Sequence, residues 1–269
     1  NFPVLGANID ASESDVLADL IQPSAIVDVN GTAVGVIGVT TADAPRVSSP
    51  GRDLIFSPDY RGSVQAQVDA LTEQGINKII LLSYLGYDED LALAPELRGV
   101  DLIVGGNTRT LLSNTDAEAA GPYPAVTAGA DGAPILIVQS GGGARGELRF
   151  LGRIDLTFDA EGVLIDWSGD TILLASSIRP DPDIVALIDD LNEQVQIERA
   201  RPVRTLTGEQ VLVAADYTVY DCRIRECELG NLVADGLRWR MGTDLALVNG
   251  GSMRGGLASG ALTRGSILE

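Results

Sequence analysis

The chain has 269 residues, of which 45% are hydrophobic and 21% charged, so it has enough apolar material for one large domain or two small ones. This composition excludes disorder as the main state, and the apolar runs are too short to cross a membrane as a helix. The 38 acidic residues outnumber the 19 Lys and Arg, and the net charge of −19 opposes binding to a nucleic-acid backbone. We therefore expect a globular protein with neither a nucleic-acid partner nor a membrane span.

The rare residue types narrow the possible chemistry. The sequence contains no His, which excludes an imidazole base, a Ser-His-Asp triad and His metal ligands within these 269 residues. Cys222 and Cys227 are five residues apart, a spacing that differs from the CxxC of redox and zinc motifs. A small disulfide in an oxidising compartment is favoured, and two reduced thiols in a cytosolic protein remain the alternative.

The first part of the chain predicts short β-structure. The chain begins at Asn1 without Met, which we interpret as the start of a processed product or of a fragment. Phe2–Ala7 predicts a short strand end, and Asp10–Leu20 an acidic loop, with a short helix within it as the alternative. Ala25–Val29 and Ala33–Thr40 are β-branched runs separated by Asn and Gly, the pair typical of a tight hairpin turn.

A strand–helix–strand unit is predicted next. Ser57 and Pro58 are typical of a helix start, with Ser57 as the N-cap, and an apolar stripe and a terminating Gly follow at Val64, Val68, Leu71 and Gly75. Lys78–Ser83 and Val100–Val104 are continuous apolar runs, as expected of buried strands, with a second helix predicted over Asp88–Arg98. Because crossover connections make such strands neighbours, their following loops should meet at one edge of the sheet.

The middle of the chain predicts a surface excursion and further strands. We expect Thr110–Gly132 to be a polar surface segment and Pro134–Gln139 a strand that ends in a glycine-rich turn at Ser140–Gly146. This turn is not a phosphate-binding Walker loop, because no Gly-Lys-Ser/Thr follows it. Leu148–Phe158 and Gly162–Ser168 then predict a pair of antiparallel strands.

A long helix separates this part from a second unit. Pro180–Arg201 has apolar residues at helical spacing, namely Ile184, Leu187, Ile188, Leu191 and Val195, and Pro near both ends. From Val203 we expect a strand pair, the helix Leu229–Arg240, the strand Asp244–Val248 and a glycine-rich turn. Only about 65 residues follow the long helix, too few for a stable independent domain, so the second unit is expected to be incomplete.

Several glycine-containing loops together carry a family resemblance. Singly, Leu82–Tyr87, Val104–Thr110 and Asn249–Arg254 are ordinary turns. Taken together, five segments of the chain resemble the 5′-nucleotidase family of metallophosphoesterases in their order and spacing. These segments are Lys78–Gly86, Gly99–Leu112, Ile135–Phe158, Cys222–Asp235 and Asn249–Arg254. The segment Cys222–Leu232 is especially similar to the ecto-5′-nucleotidase branch, which groups with the UDP-sugar hydrolases.

The resemblance implies an α/β protein with a mixed-sheet, metallophosphoesterase-like sandwich over 1–178, whose N-terminal part is missing. It also implies a connecting helix over 179–202 and the start of a truncated α+β, 5′-nucleotidase C-terminal-like domain over 203–269. Family members are extracellular or periplasmic hydrolases that hold two divalent metal ions and act on a nucleotide. In the ecto-5′-nucleotidase branch, the two Cys that match Cys222 and Cys227 form a small disulfide.

The sequence departs from the family at the metal-binding loops. The resemblance implies His at the positions of Tyr84, Asn107 and Arg109. An Asn carbonyl can bind a hard cation, whereas Tyr ligates only as a phenolate and Arg cannot ligate at all. We therefore expect no catalytic residue, metal or other cofactor in this chain. Arg109 is instead expected to pair with a carboxylate, and the alternative is that it binds an anion.

The nucleotide-binding positions of the family are better preserved. The resemblance assigns contacts with substrate phosphate and ribose to Arg223, Asn249, Gly250, Gly251 and Arg254. The alternative is that both Arg side chains pair with acidic residues of the chain.

The sequence thus predicts a 5′-nucleotidase-like phosphoester hydrolase that is inactive in this chain, and the alternative is an extracellular pseudoenzyme with a binding, structural or assembly role. We expect nucleotide or phosphate as ligand, and missing segments or a protein partner to complete the fold.

Overall fold

The computed structural model describes residues 2–141, 149–206, 222, 226–253, 256–257 and 259–268. It divides into two compact units, Asn1–Ile178 and Arg179–Glu269. In chain order the strands of unit one are β1 (Val4–Leu5), β2 (Ile9–Asp10), β3 (Ile21–Gln22), β4 (Ser24–Val29), β5 (Thr32–Thr40), β6 (Ile55–Phe56), β7 (Ile79–Tyr84), β8 (Leu102–Gly105), β9 (Ala125–Ala128), β10 (Pro134–Val138), β11 (Phe150–Phe158) and β12 (Leu164–Leu173). Its helices are α1 (Ala44–Val47), α2 (Tyr60–Glu73) and α3 (Tyr87–Leu93).

A six-stranded mixed sheet forms the centre of unit one. The strand order is β4-β5-β7-β8-β10-β9, with parallel pairing from β5 to β10 and antiparallel pairing at both edges. The predicted hairpin is confirmed, because Asn30 and Gly31 both take positive φ between β4 and β5. The two apolar runs predicted as neighbouring strands, β7 and β8, also pair in parallel as expected. Four parallel strands therefore present their carboxyl ends at one edge.

Helix α2 packs against the sheet, but it begins differently from the prediction. Val64, Val68 and Leu71 are buried as expected. The N-cap is Asp59, whose Oδ1 accepts the backbone N–H of Gly62 at 2.8 Å. Ser57 instead accepts the N–H of Asp59, so the prediction of Ser57 as the cap is wrong by two residues. A carboxylate at the cap has the further advantage of facing the positive end of the helix dipole.

Helix α3 is shorter than the predicted Asp88–Arg98. It spans only Tyr87–Leu93 and is followed by the 3₁₀ turn Ala94–Glu96. Pro95 explains the break, because proline has no N–H for a helical hydrogen bond and its ring clashes with the preceding turn.

The expectation that Thr110–Gly132 is only a surface excursion is wrong. The segment contains β9, which pairs with β10 at the edge of the central sheet. Leu112, Tyr123 and Ala125 are buried in the core. These apolar residues are separated by polar turns, so neither a helical nor an alternating pattern predicts their burial.

The antiparallel pair β11 and β12 covers part of the core. Ile154, Leu156, Phe158 and Trp167 pack against it, which confirms the predicted pair. β12 continues to Leu173, beyond its predicted end at Ser168. Of the predicted turn Ser140–Gly146, residues 142–146 lie outside the described part of the chain, as does the predicted strand start at Leu148.

Unit two contains the predicted long helix. It consists of α4 (Pro182–Ala200), β13 (Pro202–Leu206), α5 (Glu228–Met241), β14 (Gly260–Thr263) and α6 (Arg264–Leu268), and β13 pairs with β14 in antiparallel fashion. Asp181 caps α4 by accepting the N–H groups of Asp183 and Ile184. The apolar stripe of α4 is exposed along its whole length. Residues 207–221, where the partner of the first predicted strand would lie, are outside the described residues.

The prediction of a strand over Asp244–Val248 is wrong. These residues form no β-structure, and Leu245 and Leu247 are 83% and 100% exposed. An apolar β-run becomes a strand only when it finds a neighbouring strand to pair with. In the described part of unit two no strand pairs with this segment.

The expected disulfide between Cys222 and Cys227 is confirmed. Their Cα atoms are 5.1 Å apart, within the usual range for a bridge. The Sγ of Cys227 also accepts the N–H of Gly230 at 3.2 Å, so the same residue caps α5. The bridge thus holds residue 222 against the start of the helix.

Candidate functional site

The candidate site lies at the carboxyl edge of the central sheet, where two loops leave neighbouring strands. Tyr84 ends β7, and Gly106 follows the last residue of β8. Ser83 and Gly105 form the last rung of the ladder between these strands. A Cβ on Gly106 would lie 3.3 Å from Cδ2 of Tyr84, so the absence of a side chain lets the Tyr84 ring lie against the second loop.

The second loop, 106–110, has an unusual backbone. Asn107 and Arg109 take φ values of 74° and 56°, a left-handed conformation that Asn tolerates and Arg seldom adopts. The Asn107 side chain donates to the carbonyl of Leu85 at 3.2 Å, and Thr108 Oγ1 accepts the N–H of Tyr87 at 3.1 Å. These two bonds join the loop after β8 to the loop after β7. The structure therefore brings Tyr84, Asn107 and Arg109 onto two interlocked loops.

The buried side chain of Gln139, which follows β10, supports the backbone of the second loop. With its Oε1 facing the loop, Gln139 accepts the N–H groups of Arg109 at 3.2 Å and Thr110 at 3.1 Å. The residue is only 4% exposed, so these bonds are shielded from water. Two adjacent N–H groups are thereby satisfied in a segment without regular secondary structure.

The Arg109 side chain is exposed and forms no ion pair with any carboxylate in the described residues. The expected internal ion pair is therefore not found there. An exposed guanidinium with five donors in a planar fork remains available for an external anion.

A buried carboxyl lies beneath the two loops. Asp90 of α3 is fully buried, and its Oδ1 accepts the hydroxyl of Ser83 at 2.5 Å. Its Oδ2 has no hydrogen-bond partner among the described residues. Burial raises the pKa of Asp90 from 3.8 to about 6, against the lowering effect of the Ser83 bond. Sequence reasoning missed both Asp90 and Gln139, because a single acid in a helix or a single Gln after a strand is typical of exposed surface.

The predicted nucleotide-binding residues belong to unit two. Asn249 accepts the N–H of Gly251 at 3.0 Å and caps the 3₁₀ turn Gly250–Ser252. Arg223 and Arg254 lie outside the described residues. The structure thus shows a tight turn at Asn249–Gly251, and the substrate contacts of all five residues stay a prediction.

Comparison with known proteins relates this architecture to a family. Residues 202–269 match the family model described as 5′-nucleotidase, C-terminal domain. A 5′-nucleotidase of Diplobatis ommata is 39% identical over 88% of this chain and 40% of its own length. A snake venom 5′-nucleotidase of Naja atra is 34% identical over 94% of this chain and 49% of its own. Over most of its length the chain is therefore similar to 5′-nucleotidases, and residues 202–269 match the C-terminal domain of that family.

A solved structure extends the relation to the fold. The crystal structure of a 5′-nucleotidase precursor from Thermus thermophilus is 36% identical, with a TM-score of 0.69 over 99% of this chain and 52% of that chain. The predicted α/β fold class with its mixed sheet is thereby confirmed. The chain spans between 40% and 49% of the length of the curated 5′-nucleotidases it matches.

The donors at the candidate site do not suit the metal ions that the 5′-nucleotidase resemblance implies. Asn107 offers a cation one carbonyl oxygen, Oδ1, because its amide nitrogen donates to the Leu85 carbonyl, and the Arg109 guanidinium repels a dication. Tyr84 could serve as a metal ligand only as a phenolate. In the described part of the chain, no three His, Cys, Asp or Glu residues lie close enough together to share an ion.

Proposed function

We propose that this chain is a non-hydrolytic member of the 5′-nucleotidase family that binds phosphate, free or as part of a nucleotide, through Arg109 in place of metal ions. The observation that carries the proposal is the exposed Arg109 guanidinium at the carboxyl edge of the sheet, without a carboxylate partner in the described residues. Arginine forms paired, charge-assisted hydrogen bonds with phosphate oxygens. The interlocked loops and Gln139 support the proposal further, because they hold the Arg109 backbone before a ligand arrives.

The proposed lack of hydrolysis rests on the chemistry of the side chains present. Metal-dependent phosphoester hydrolysis needs a bound ion to lower the pKa of water and to neutralise the charge of the transition state. The sequence has no imidazole, and Tyr84, Asn107 and Arg109 cannot together replace such an ion as a source of hydroxide. Arginine can neutralise phosphate charge, but it cannot act as a base at neutral pH.

Calorimetric titration tests the phosphate site. We expect wild type to bind inorganic phosphate and AMP, and Arg109→Gln to weaken both about tenfold or more, as expected for loss of a charge-assisted pair. Arg153→Gln is the matched control, because it removes the same charge from an exposed pair with Asp155 on β11. Equal weakening by both variants, or no binding by wild type, would overturn the phosphate site. Stoichiometric zinc or manganese with phosphate release from AMP would overturn the non-hydrolytic role.

A structural or assembly role is the second candidate function. It is supported by large apolar side chains that unit two leaves exposed, including Trp239 at 85% and Met241 at 70%. Further chain or a protein partner would cover them. Light scattering at several protein concentrations distinguishes the two functions, because self-association without phosphate binding favours assembly.

The proposal includes an extracellular or periplasmic location. The disulfide between Cys222 and Cys227 supports an oxidising compartment, and one relative is a venom protein. No helix in the described residues is long and apolar enough to cross a membrane. Fractionation of source cells, with thiol labelling of the protein before extraction, tests the location.

A further inference from the structure

The carboxyl of Asp90 occupies a specific place in the sheet. It lies against the last rung of the β7–β8 ladder, formed by Ser83 and Gly105, after which both loops of the candidate site begin. On one side it accepts the Ser83 hydroxyl, which itself accepts the N–H of Leu85 at 3.2 Å. On the other side a Cβ on Gly105 would lie 2.6 Å from Asp90 Oδ2, closer than atoms can approach.

The same place connects to the loop that carries Arg109. A Cβ on Gly105 would also lie 3.3 Å from one terminal atom of the Gln139 amide, and the other end of this amide faces the N–H groups of Arg109 and Thr110. Asp90 therefore lies at the base of an arrangement that reaches from β7, across β8, to the second loop. None of its side-chain atoms faces solvent, so it does not contact a ligand itself.

We propose that Asp90 is a positioning residue for the candidate site, whose buried carboxyl fixes the spacing of the two loops by binding Ser83 and packing against Gly105. Loss of this group would let the second loop move, and the Gln139 bonds to Arg109 would open more often. The inference rests on the proposed function only for its ligand-binding readout, since loop order is measurable without a ligand.

A matched control separates positioning from general core stability. Asp101 is a second largely buried carboxyl whose pKa burial also raises to about 6, and its Oδ2 accepts the N–H of Ile79 at 2.8 Å. It lies at the amino ends of β7 and β8, whereas Asp90 lies at their carboxyl ends. A purely structural role would make the two residues equivalent for the loops.

Amide hydrogen exchange, followed residue by residue by NMR in the full 269-residue chain, tests the inference. Asp90→Ala should speed exchange at Arg109 and Thr110 about tenfold or more, the change expected when a buried polar contact is lost. Asp90→Asn, which keeps the shape and the acceptor for Ser83, should restore exchange to near the wild-type rate. Asp101→Ala should speed exchange at Ile79 and leave the loop amides unchanged.

Several outcomes would overturn the positioning role. The role is refuted if the amides of Arg109 and Thr110 are unprotected in wild type, or if they exchange at the same rate in wild type and in Asp90→Ala. It is also refuted if they exchange equally fast in Asp90→Ala and Asp90→Asn, or if Asp101→Ala speeds their exchange as much as Asp90→Ala does. If Asp90→Ala does not fold, Ser83→Ala removes the same hydrogen bond and should also speed exchange at Arg109, and an unchanged rate there would refute the role. AMP titration is the second readout: a wild type that binds no AMP refutes the proposed function, and the exchange data still decide the role of Asp90.

Discussion

Replacing Asp90 by Asn should change how the stability of unit one depends on pH. The folded-state pKa of Asp90 is about 6, above its unfolded value of 3.8, because burial disfavours the charged form. A raised pKa means that the stabilising contribution is fully present below pH 3.8 and is lost as the pH rises through about 6. Asn cannot ionise, so the variant should not lose this contribution.

The magnitude follows from the shift. A displacement of about two pKa units corresponds to about 3 kcal/mol in the free energy of unfolding, lost between about pH 4 and pH 7. Asp90→Asn should therefore match wild type near pH 4 and be more stable than wild type by up to about 3 kcal/mol near pH 7.5. Asp10 and Asp170, whose pKa values are lowered by hydrogen bonds, change stability only below this window.

Urea unfolding followed by tryptophan fluorescence measures the effect. Trp167 packs against the core of unit one, whereas Trp239 in unit two is 85% exposed. Trp239→Phe therefore leaves a reporter that responds to unit one alone. The wild-type and Asp90→Asn chains are compared in this background between pH 4.5 and pH 7.5.

A second carboxyl checks the reasoning. Asp101→Asn should remove a similar part of the pH dependence, and the double variant should remove both parts. The two groups lie about four residues apart along β7, or about 13 Å, so their effects should add. An Asp90→Asn chain with the same pH dependence as wild type would refute the assignment of the raised pKa to burial of Asp90.

Further substitutions test three local features. Cys227→Ser keeps a helix-capping hydroxyl but removes the disulfide, and should destabilise α5 by about 2 kcal/mol in hydrogen exchange, whereas an unchanged exchange rate would contradict a stabilising bridge. Asp59→Ala should lower the free energy of unfolding in urea by about 1 kcal/mol, and Ser57→Ala should lower it by less. Equal losses in the two variants would argue against Asp59 as the N-cap of α2. Gly105→Ala should lower the free energy of unfolding by about 1–3 kcal/mol, because the added methyl group overlaps with the Asp90 carboxyl. A loss of the same size when Asp90 is already Ala would show that the two residues are not in contact.

The parts of the fold that the sequence predicts are those governed by local or periodic signals. Lys78–Ser83 and Val100–Val104 are continuous apolar runs because both faces of a central parallel strand are largely covered. The hairpin turn is predictable because Asn30 and Gly31 tolerate the positive φ that it needs.

The wrong predictions concern segments whose structure depends on distant partners. Ala125–Ala128 is too short to show a strand pattern and forms a strand because β10 offers an edge. Asp244–Val248 has a convincing strand pattern but no neighbouring strand in the described residues. β-structure is therefore predictable from a single sequence only where the pairing partner is also evident.

The candidate site divides in the same way. The positions of Tyr84, Asn107 and Arg109 are predictable because the carboxyl ends of successive parallel strands meet at one edge. Their support is not predictable, because the burial of Asp90 depends on where α3 packs against the sheet. Arg109 has no carboxylate partner among the described residues, and this depends on which acidic residues the fold places nearby. The sequence alone, with 38 acidic residues, favours the opposite expectation.

The separation between supporting and exposed residues explains how such a site can change its chemistry. Ser83, Asp90, Gly105 and Gln139 are largely enclosed and bind the loop backbones or one another. Tyr84 and Arg109 are exposed, and the two hydrogen bonds that join the loops do not use their side chains. Substitution at an exposed loop position usually costs little stability. The loops can therefore keep their backbone arrangement while their exposed side chains change, for example from the His that the family resemblance implies to the phosphate-binding guanidinium that we propose at Arg109.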